Sequence, residues 1–329
     1  MGQNKVPWYE MGKELVQATT SEEAMVEGGL DFEVEKIQSY MPSKERATEQ
    51  GTFSEEETEA PLYLGKDVIK GDGSFFTVRA DNWVKLGSVG SIYKVVQNTE
   101  AFELLDPLIK SGELRLKMAG CLGQKGEKIW VLAEIGDPVL LVPGDELKQY
   151  VVLMNSHDGS SAVKILNTPT SEVRGVIHVG DERSISIRHT SSVKERLSKA
   201  RNILQRSISF YENFVESAEA LVAQKLRTID VEHFIEGLFP AKMVDGVPTF
   251  STRAQNQMKV IRDLYEGEQV QAARGTAWAL YNAVSEFVDH HRSPTDNEPQ
   301  KYRRLQSVSI GSGAEMKKAA FKTLVKKSV

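Results

Sequence analysis

The sequence predicts an α+β protein: an antiparallel sheet with a short helix and one long helix packed on it, followed by a helical C-terminal region. Three observations lead there. β-rich runs crowd residues 75–188, helical periodicity takes over beyond them, and no strand–helix–strand alternation of a doubly wound sheet links the two. Three regions follow. Residues 1–70 form an acidic N-terminal arm with short elements, 71–228 an α+β core ending in the long helix, and 229–329 a helical region with a basic tail.

In the arm, Pro7-Trp8-Tyr9 is an aromatic anchor, Thr20-Ser21-Glu22-Glu23-Ala24 is a helix start, and Leu30-Asp-Phe-Glu-Val alternates like a strand. Gly51 to Ala60 reads as a solvated acidic loop. Ordered sheet is expected from near Phe75, with two β-rich runs before Val96 joined by a segment holding Trp83, Gly87 and Gly90. A short helix follows from Thr99 to Ile109, with Pro107 a complication for its last turn. Strands are then expected over Leu114–Leu122, Lys128–Ile135, Leu147–Ser156, Ser161–Leu166, Glu172–Val179 and Ser184–Arg188.

Ser192 and Glu195 form a capping-box pattern that opens the long helix. Apolar residues from Leu197 to Leu221 recur at steps of three, four or seven, and nothing interrupts the pattern to Leu226, about nine turns at roughly 3.6 residues each. Beyond it, Ile229–Leu238, Ser251–Tyr265, Thr276–His291 and Glu315–Lys326 read as helices, and Lys242–Pro248 as a loop.

Bulk properties bound the function. The 329 residues suffice for one large or two modest domains, and 40% hydrophobic and 26% charged is ordinary for a globular protein. No apolar run reaches the roughly 18 residues that would span a membrane. No signal-peptide core opens the chain, and Val6 spoils a myristoylation pattern at Gly2. A cytoplasmic location is expected. The single cysteine, Cys121, excludes an internal disulfide and any multi-cysteine metal site. The net charge of -5 hides an asymmetry: residues 1–70 carry 15 acids and 7 bases, residues 300–329 eight bases and one acid.

Phosphate loop, dinucleotide fingerprint, serine elbow and paired-histidine zinc motif are all missing from the sequence. Three constellations remain. Asn155-Ser-His-Asp-Gly-Ser-Ser lies between two strands. His157 and Asp158 there, with His189 after a later strand, could do acid–base or metal chemistry. The same residues also suit a turn whose side chains satisfy their own backbone, with Gly159 at positive φ. In the helix beginning at Thr276, Trp278, Asn282, Glu286 and His290 share one face. Glu286 with His290 could ligate a metal, or the face could be a polar seam against the sheet.

The third constellation interleaves bases with aromatics. Arg79, Trp83, Lys85, Tyr93 and Lys94 lie in the first sheet runs, and six bases (Arg188, Lys194, Arg196, Lys199, Arg201 and Arg206) face one acid at the start of the long helix. Single-stranded nucleic acid is held by such basic grooves with aromatic platforms. Either a solvated basic face or an anion site fits the helix start, since its charges oppose the helix dipole.

Several stretches occur together, in order. They are Pro7-Trp8, Glu22-Glu23-Ala24 with Gly29-Leu30-Asp31-Phe32, Leu86 to Asn98, Asn155-Ser-His-Asp-Gly-Ser, Ile187-Arg-His-Thr190 and Gly275-Thr-Ala-Trp-Ala-Leu-Tyr-Asn-Ala-Val. This set resembles the phage/plasmid-like protein family, a bacterial and phage family of unknown function. The resemblance implies mobile-element biology but hands over no catalytic residues. One departure stands out: the family's Cys-Asn-Thr run is replaced here by Gly175-Val-Ile-His-Val-Gly. The order of hairpin, short helix, antiparallel sheet and long helix is also similar to that of phage single-strand annealing proteins, a fold-level analogy.

The expectation is therefore an oligomeric single-stranded DNA-binding protein without a cofactor. Arg188, Lys194, Lys199, Arg201 and Arg206 would contact phosphates, and Trp83 or Tyr93 would stack on bases. Two alternatives stand beside it: a factor that binds a host or phage protein, its acidic arm mimicking nucleic acid, and a metal-dependent nuclease using His157, Asp158 and His189 or the Glu286/His290 pair.

Overall fold

The computed structural model describes residues 12–42, 68–123, 125–171, 176–178, 185–193, 195–197, 207–268, 270–292, 307 and 311–327. It is an α+β protein with a large antiparallel sheet, a small antiparallel sheet and a helical C-terminal part.

The large sheet contains β1 (Lys13–Glu14), β5 (Leu114–Leu122), β6 (Lys128–Ile135), β8 (Asp145–Ser156), β9 (Val163–Ser171) and β10 (Val176–Ile177) in that spatial order, with β7 (Val139–Val142) on β8 and β11 (Ile185–Ile187) on β9. The central strands alternate between two cores, as the two-residue period of a strand requires. Ile129, Val131, Ala133, Val151 and Leu153 face a core shared with α1 (Ser21–Gly28), α2 (Asn98–Phe102) and α3 (Asp106–Lys110). Trp130, Leu132, Val152 and Met154 face the other side.

The small sheet orders β2 (Val34–Pro42), β3 (Val68–Arg79) and β4 (Lys85–Gly90). Two expectations change here. Leu30 to Glu33 is not strand, which begins only at Val34, and β2 pairs with β3, so the sheet crosses the boundary expected at residue 70. The expected helix from Thr99 to Ile109 is two helices. Gln97 and Glu100 cap the first with a capping box, and Pro107 sits in the first turn of the second, where its missing N–H costs nothing.

Of the stretch expected as the long helix, residues 192–193, 195–197 and 207 onwards are described, and residues 194 and 198–206 lie outside the described residues. Arg196 N donates to Ser192 O at 3.1 Å, and α4 runs over Ser207–Ala223, three residues short of Leu226. Then come α5 (Thr228–Gly237), α6 (Thr252–Glu266), α7 (Ala277–Glu286) with a π-helical continuation over Phe287–His291, and α8 (Ser312–Lys327). Every residue from Ala277 to Ser285 is buried. α7 is thus the centre of the helical core, with α4, α6 and α8 around it. Lys242 to Pro248, expected as a loop, lies largely in a hairpin of β12 (Lys242–Val244) and β13 (Val247–Thr249). Asp245 (φ 51) and Gly246 (φ 77) both take the left-handed backbone of a tight two-residue turn.

Candidate functional site

Three stretches far apart in sequence meet where the small sheet abuts the large one: the β4–α2 link, the turn after β8 and the turn after β11. Tyr93 Oη donates to Ser156 O at 2.9 Å, and its ring stacks on His189 with centroids 4.8 Å apart. Lys94 N donates to His189 O at 3.0 Å, and His189 Nδ1 returns a bond to Lys94 O at 3.0 Å. Asn155 Nδ2 donates to Val96 O, and Thr77 Oγ1 on β3 donates to His157 O at 2.6 Å.

The Asn155–Ser160 turn is organised largely by its own side chains. Ser156 N donates to Asn155 Oδ1 and Ser160 N to Asp158 Oδ1, both at 2.9 Å, while Gly159 supplies the positive φ of 76°. Asp158 also accepts from Ser156 Oγ and lies 3.5 Å from Lys128 Nζ. Burial raises its carboxyl pKa, but the bonds from Ser156 and Ser160 and the Lys128 charge outweigh this and hold it below the usual value. A carboxylate so engaged is a poor general base.

The two histidines are neutral, and their tautomers follow from their partners. Asn98 Nδ2 donates to Leu30 O and Phe32 O, so its Oδ1 faces the ring of His157 and accepts from Nε2 at 2.7 Å. His157 Nδ1 is therefore a bare acceptor, buried and without a partner. Burial first, and His189 second, push the His157 pKa down to about 3. His189, donating from Nδ1, likewise keeps a buried bare Nε2, and burial lowers its pKa too. The structure thus gathers His157, Asp158 and His189 into one neighbourhood. Two imidazole lone pairs do not define a metal site, and no group of three or more His, Cys, Asp or Glu among the described residues could hold an ion.

Glu286 lies towards His291, one residue beyond the His290 of the expected pair. At Phe287 the helix widens to a π pitch, which brings the fifth residue rather than the fourth beneath Glu286. Glu286 Oε1 accordingly lies 3.9 Å from His291 Nε2. On the same helix Trp278 Nε1 donates to the buried Asp145 at 3.1 Å, while Asn282 is fully buried with neither amide atom partnered.

The nucleic-acid candidates divide sharply. Lys194, Lys199, Arg201 and Arg206 lie outside the described residues, whereas Arg188 is exposed next to His189. Tyr93 is buried at 8% exposure, so it is a structural residue of the junction and not a platform for bases. Trp83 is 63% exposed at the tip of the β3–β4 connection. Its backbone takes φ 58°, fixed by Trp83 N donating to Arg79 O at 2.9 Å and Arg79 N to Val84 O at 3.0 Å. Cations dress the same sheet: Arg79 lies over Phe32 (3.9 Å), Lys85 over Phe76 (3.8 Å) and Lys36 over Phe75 (4.2 Å). Asn98 and Thr77, which hold the junction turn, carry no sequence signal for that role. Their partners lie 59 and 80 positions away.

Fold and site together define an α+β protein with a histidine-bearing junction between two sheets and an aromatic, cation-dressed small sheet beside it. The chain belongs to the family described as domain of unknown function DUF932, whose model matches residues 85–309. That span takes in β4, all three junction stretches and α7, and leaves β2, β3 and α8 outside. No curated protein and no solved structure matches the chain. Among the described residues no helix is long and apolar enough to cross a membrane.

Proposed function

We propose that this protein binds nucleic acid in single-stranded form and serves the recombination or replication of a phage or plasmid, acting as a homo-oligomer. One observation carries the reading: Trp83. A bulky residue at positive φ is an uncommon and strained conformation, costing on the order of 1–3 kcal/mol. Burial does not offset that cost, because the ring is mostly in solvent. A strained, presented indole beside exposed Lys85 has the makeup of a stacking platform with a phosphate contact within reach, while Arg79 is engaged by Asp81. Exposed Lys94 and Arg188, joined through the Lys94–His189 bonds, extend the basic surface at the junction.

The nuclease reading has less support, since Asp158 is engaged by Ser156, Ser160 and Lys128 and Glu286 lies towards His291. The test is a fluorescence-anisotropy titration of a labelled single-stranded oligonucleotide at low and moderate salt. Wild-type binding should weaken steeply with salt as counterions are released. Trp83→Ala should weaken it about tenfold, in line with roughly 1–3 kcal/mol for a stacked base. Absence of binding at low salt would overturn the reading and turn attention to a protein partner.

A further inference from the structure

The small sheet carries a cavity at the end away from Trp83. Gln38 pairs with Phe75 and Tyr40 with Lys70, so Ser39 alone stands against Gly71, Asp72, Gly73 and Ser74, and β3 bulges there. Side chains of β2 hold the bulge. Gln38 Nε2 donates to Gly71 O at 2.8 Å and Ser74 O at 2.9 Å, with Ser39 O at 3.2 Å, and Ser39 Oγ donates to Ser74 O at 2.8 Å. A Cβ at Gly71 would overlap Ser39 Oγ, and Gly73 takes a left-handed φ of 62°.

Beside the bulge lies an open-sided cavity of about 500 Å³, lined by Gln38, Lys70, Asp72, Phe75 and Ser91 with the two glycines. Small-molecule sites span roughly 300–1,000 Å³. The strand register locates it. Gln38, Phe75 and Val89 form one row across the sheet, and the next row on that face, Lys36, Thr77 and Gly87, abuts the junction turn.

Three features decide what fits. Phe75 is half-buried and offers an aromatic surface. Lys36 Nζ sits 4.2 Å from its centroid and donates to the carbonyls of Gly90, Ser91 and Tyr93, which fixes that end of the sheet. The Gln38 Nε2 protons are taken up by the bulge, so the amide cannot turn over. Its Oε1, without a partner among the described residues, is a fixed acceptor at the cavity. Lys70 and Asp72 are exposed and opposite in sign, a balance that does not favour a bare phosphate.

We propose that this cavity binds one nucleotide. The base lies against Phe75 and donates an N–H to Gln38 Oε1, the phosphate meets Lys70, and Asp72 and Ser91 are left for the sugar hydroxyls. The nucleotide is either free or one unit of a single strand. The length of β4, roughly 20 Å at 3.3–3.4 Å per residue, separates the cavity from Trp83, so a mononucleotide cannot bridge the two.

Calorimetric titration of the full-length protein with deoxyadenosine monophosphate, and in parallel with deoxyadenosine, tests it. Wild type should bind both saturably and the monophosphate severalfold more tightly. Lys70→Gln should abolish that preference. Phe75→Leu should weaken both ligands about tenfold, the scale of one stacked base. Lys70 is exposed, so its variant decides the matter should Phe75→Leu fail to fold by circular dichroism. No saturable binding of the monophosphate by wild type, a preference unchanged in Lys70→Gln, or binding unchanged in a folded Phe75→Leu would each overturn the site. With the site established, a single-stranded oligonucleotide that displaces the monophosphate would identify the strand as the source. One that does not displace it would identify the free nucleotide. Trp83→Ala should leave monophosphate binding intact, so failure of the Trp83 surface and failure of this cavity read out separately.

Discussion

His157 donates its Nε2 proton to Asn98 Oδ1 across 2.7 Å, and Asn98 donates in turn to the carbonyls of Leu30 and Phe32. This chain joins the turn after β8 to the first turn of α2 and to the approach to β2, so one amide fixes a tautomer and closes the sheet junction. A neutral, buried imidazole has a consequence for stability. In the unfolded chain His157 titrates near 6.5, and in the folded protein only at about 3. Between those values the unfolded state binds the extra proton, so stability falls as pH drops from about 6.5 towards 3. His189, also lowered, adds to the same slope. Denaturant melts at pH 7 and pH 5 should show the loss, and His157→Gln should flatten it. An equal slope in that variant would place the proton uptake elsewhere.

Asn98→Ala removes the acceptor of the His157 Nε2 proton and leaves the Leu30 and Phe32 carbonyls without its donor. Each buried group left unpaired costs about 1–3 kcal/mol, so a loss of roughly 2–4 kcal/mol is expected. Urea unfolding measures it. A change below about 0.5 kcal/mol, the range of ordinary surface substitutions, would mean that the amide does not hold the junction.

Much of the fold was legible from pattern alone. β5 and β6 fall at the expected bounds because long β-rich runs between turn residues leave little choice, and the caps Ser251 and Thr276 mark their helices by short-range chemistry. What failed was decided by partners. β2 begins at Val34 because its ladder to β3 begins there, opposite Arg79, and no local pattern states that register. Asp245-Gly246 is a local turn signal that suits a loop and a two-residue hairpin alike, and the β12–β13 pairing decides for the hairpin. In the site, the self-satisfied Asn155 turn could be read from its residue types. Tyr93 as a buried strut, Asn98 as the histidine's partner and the π pitch that favours His291 over His290 all depend on tertiary neighbours.

Gly87 marks where β4 touches the junction turn. A Cβ there would lie 2.4 Å from the Asp158 Cα and 2.8 Å from its carbonyl carbon and oxygen, all backbone atoms that cannot swing aside. Gly87→Ala should therefore cost about 1–3 kcal/mol or more. It should also shift the amide NMR resonances of Asp158 and Gly159 more than those of the helical core. A variant as stable as wild type would show that the two sheets separate at that edge without penalty.

Lys317 and Asp289 make the sharpest test of the helical part. Lys317 Nζ donates to Asp289 Oδ1 at 2.6 Å, with side-chain exposures of 0% and 6%, and it ties α8 to the π-helical segment. Burial lowers the lysine pKa, while the Asp289 charge works against that shift. Breaking such a pair leaves a buried charge, so Lys317→Met or Asp289→Leu alone should cost about 3–5 kcal/mol. Replacing both by apolar residues of similar size removes the uncompensated charge, and the double variant Lys317→Met/Asp289→Leu should recover most of the loss. The cycle is read from denaturant midpoints, with Phe321 packing against Phe214 and Tyr281 as the apolar contact that keeps α8 docked throughout. Additive losses in the double variant would show that the two charges do not stabilise one another. The docking of a helix outside the family match would then rest on its apolar face alone.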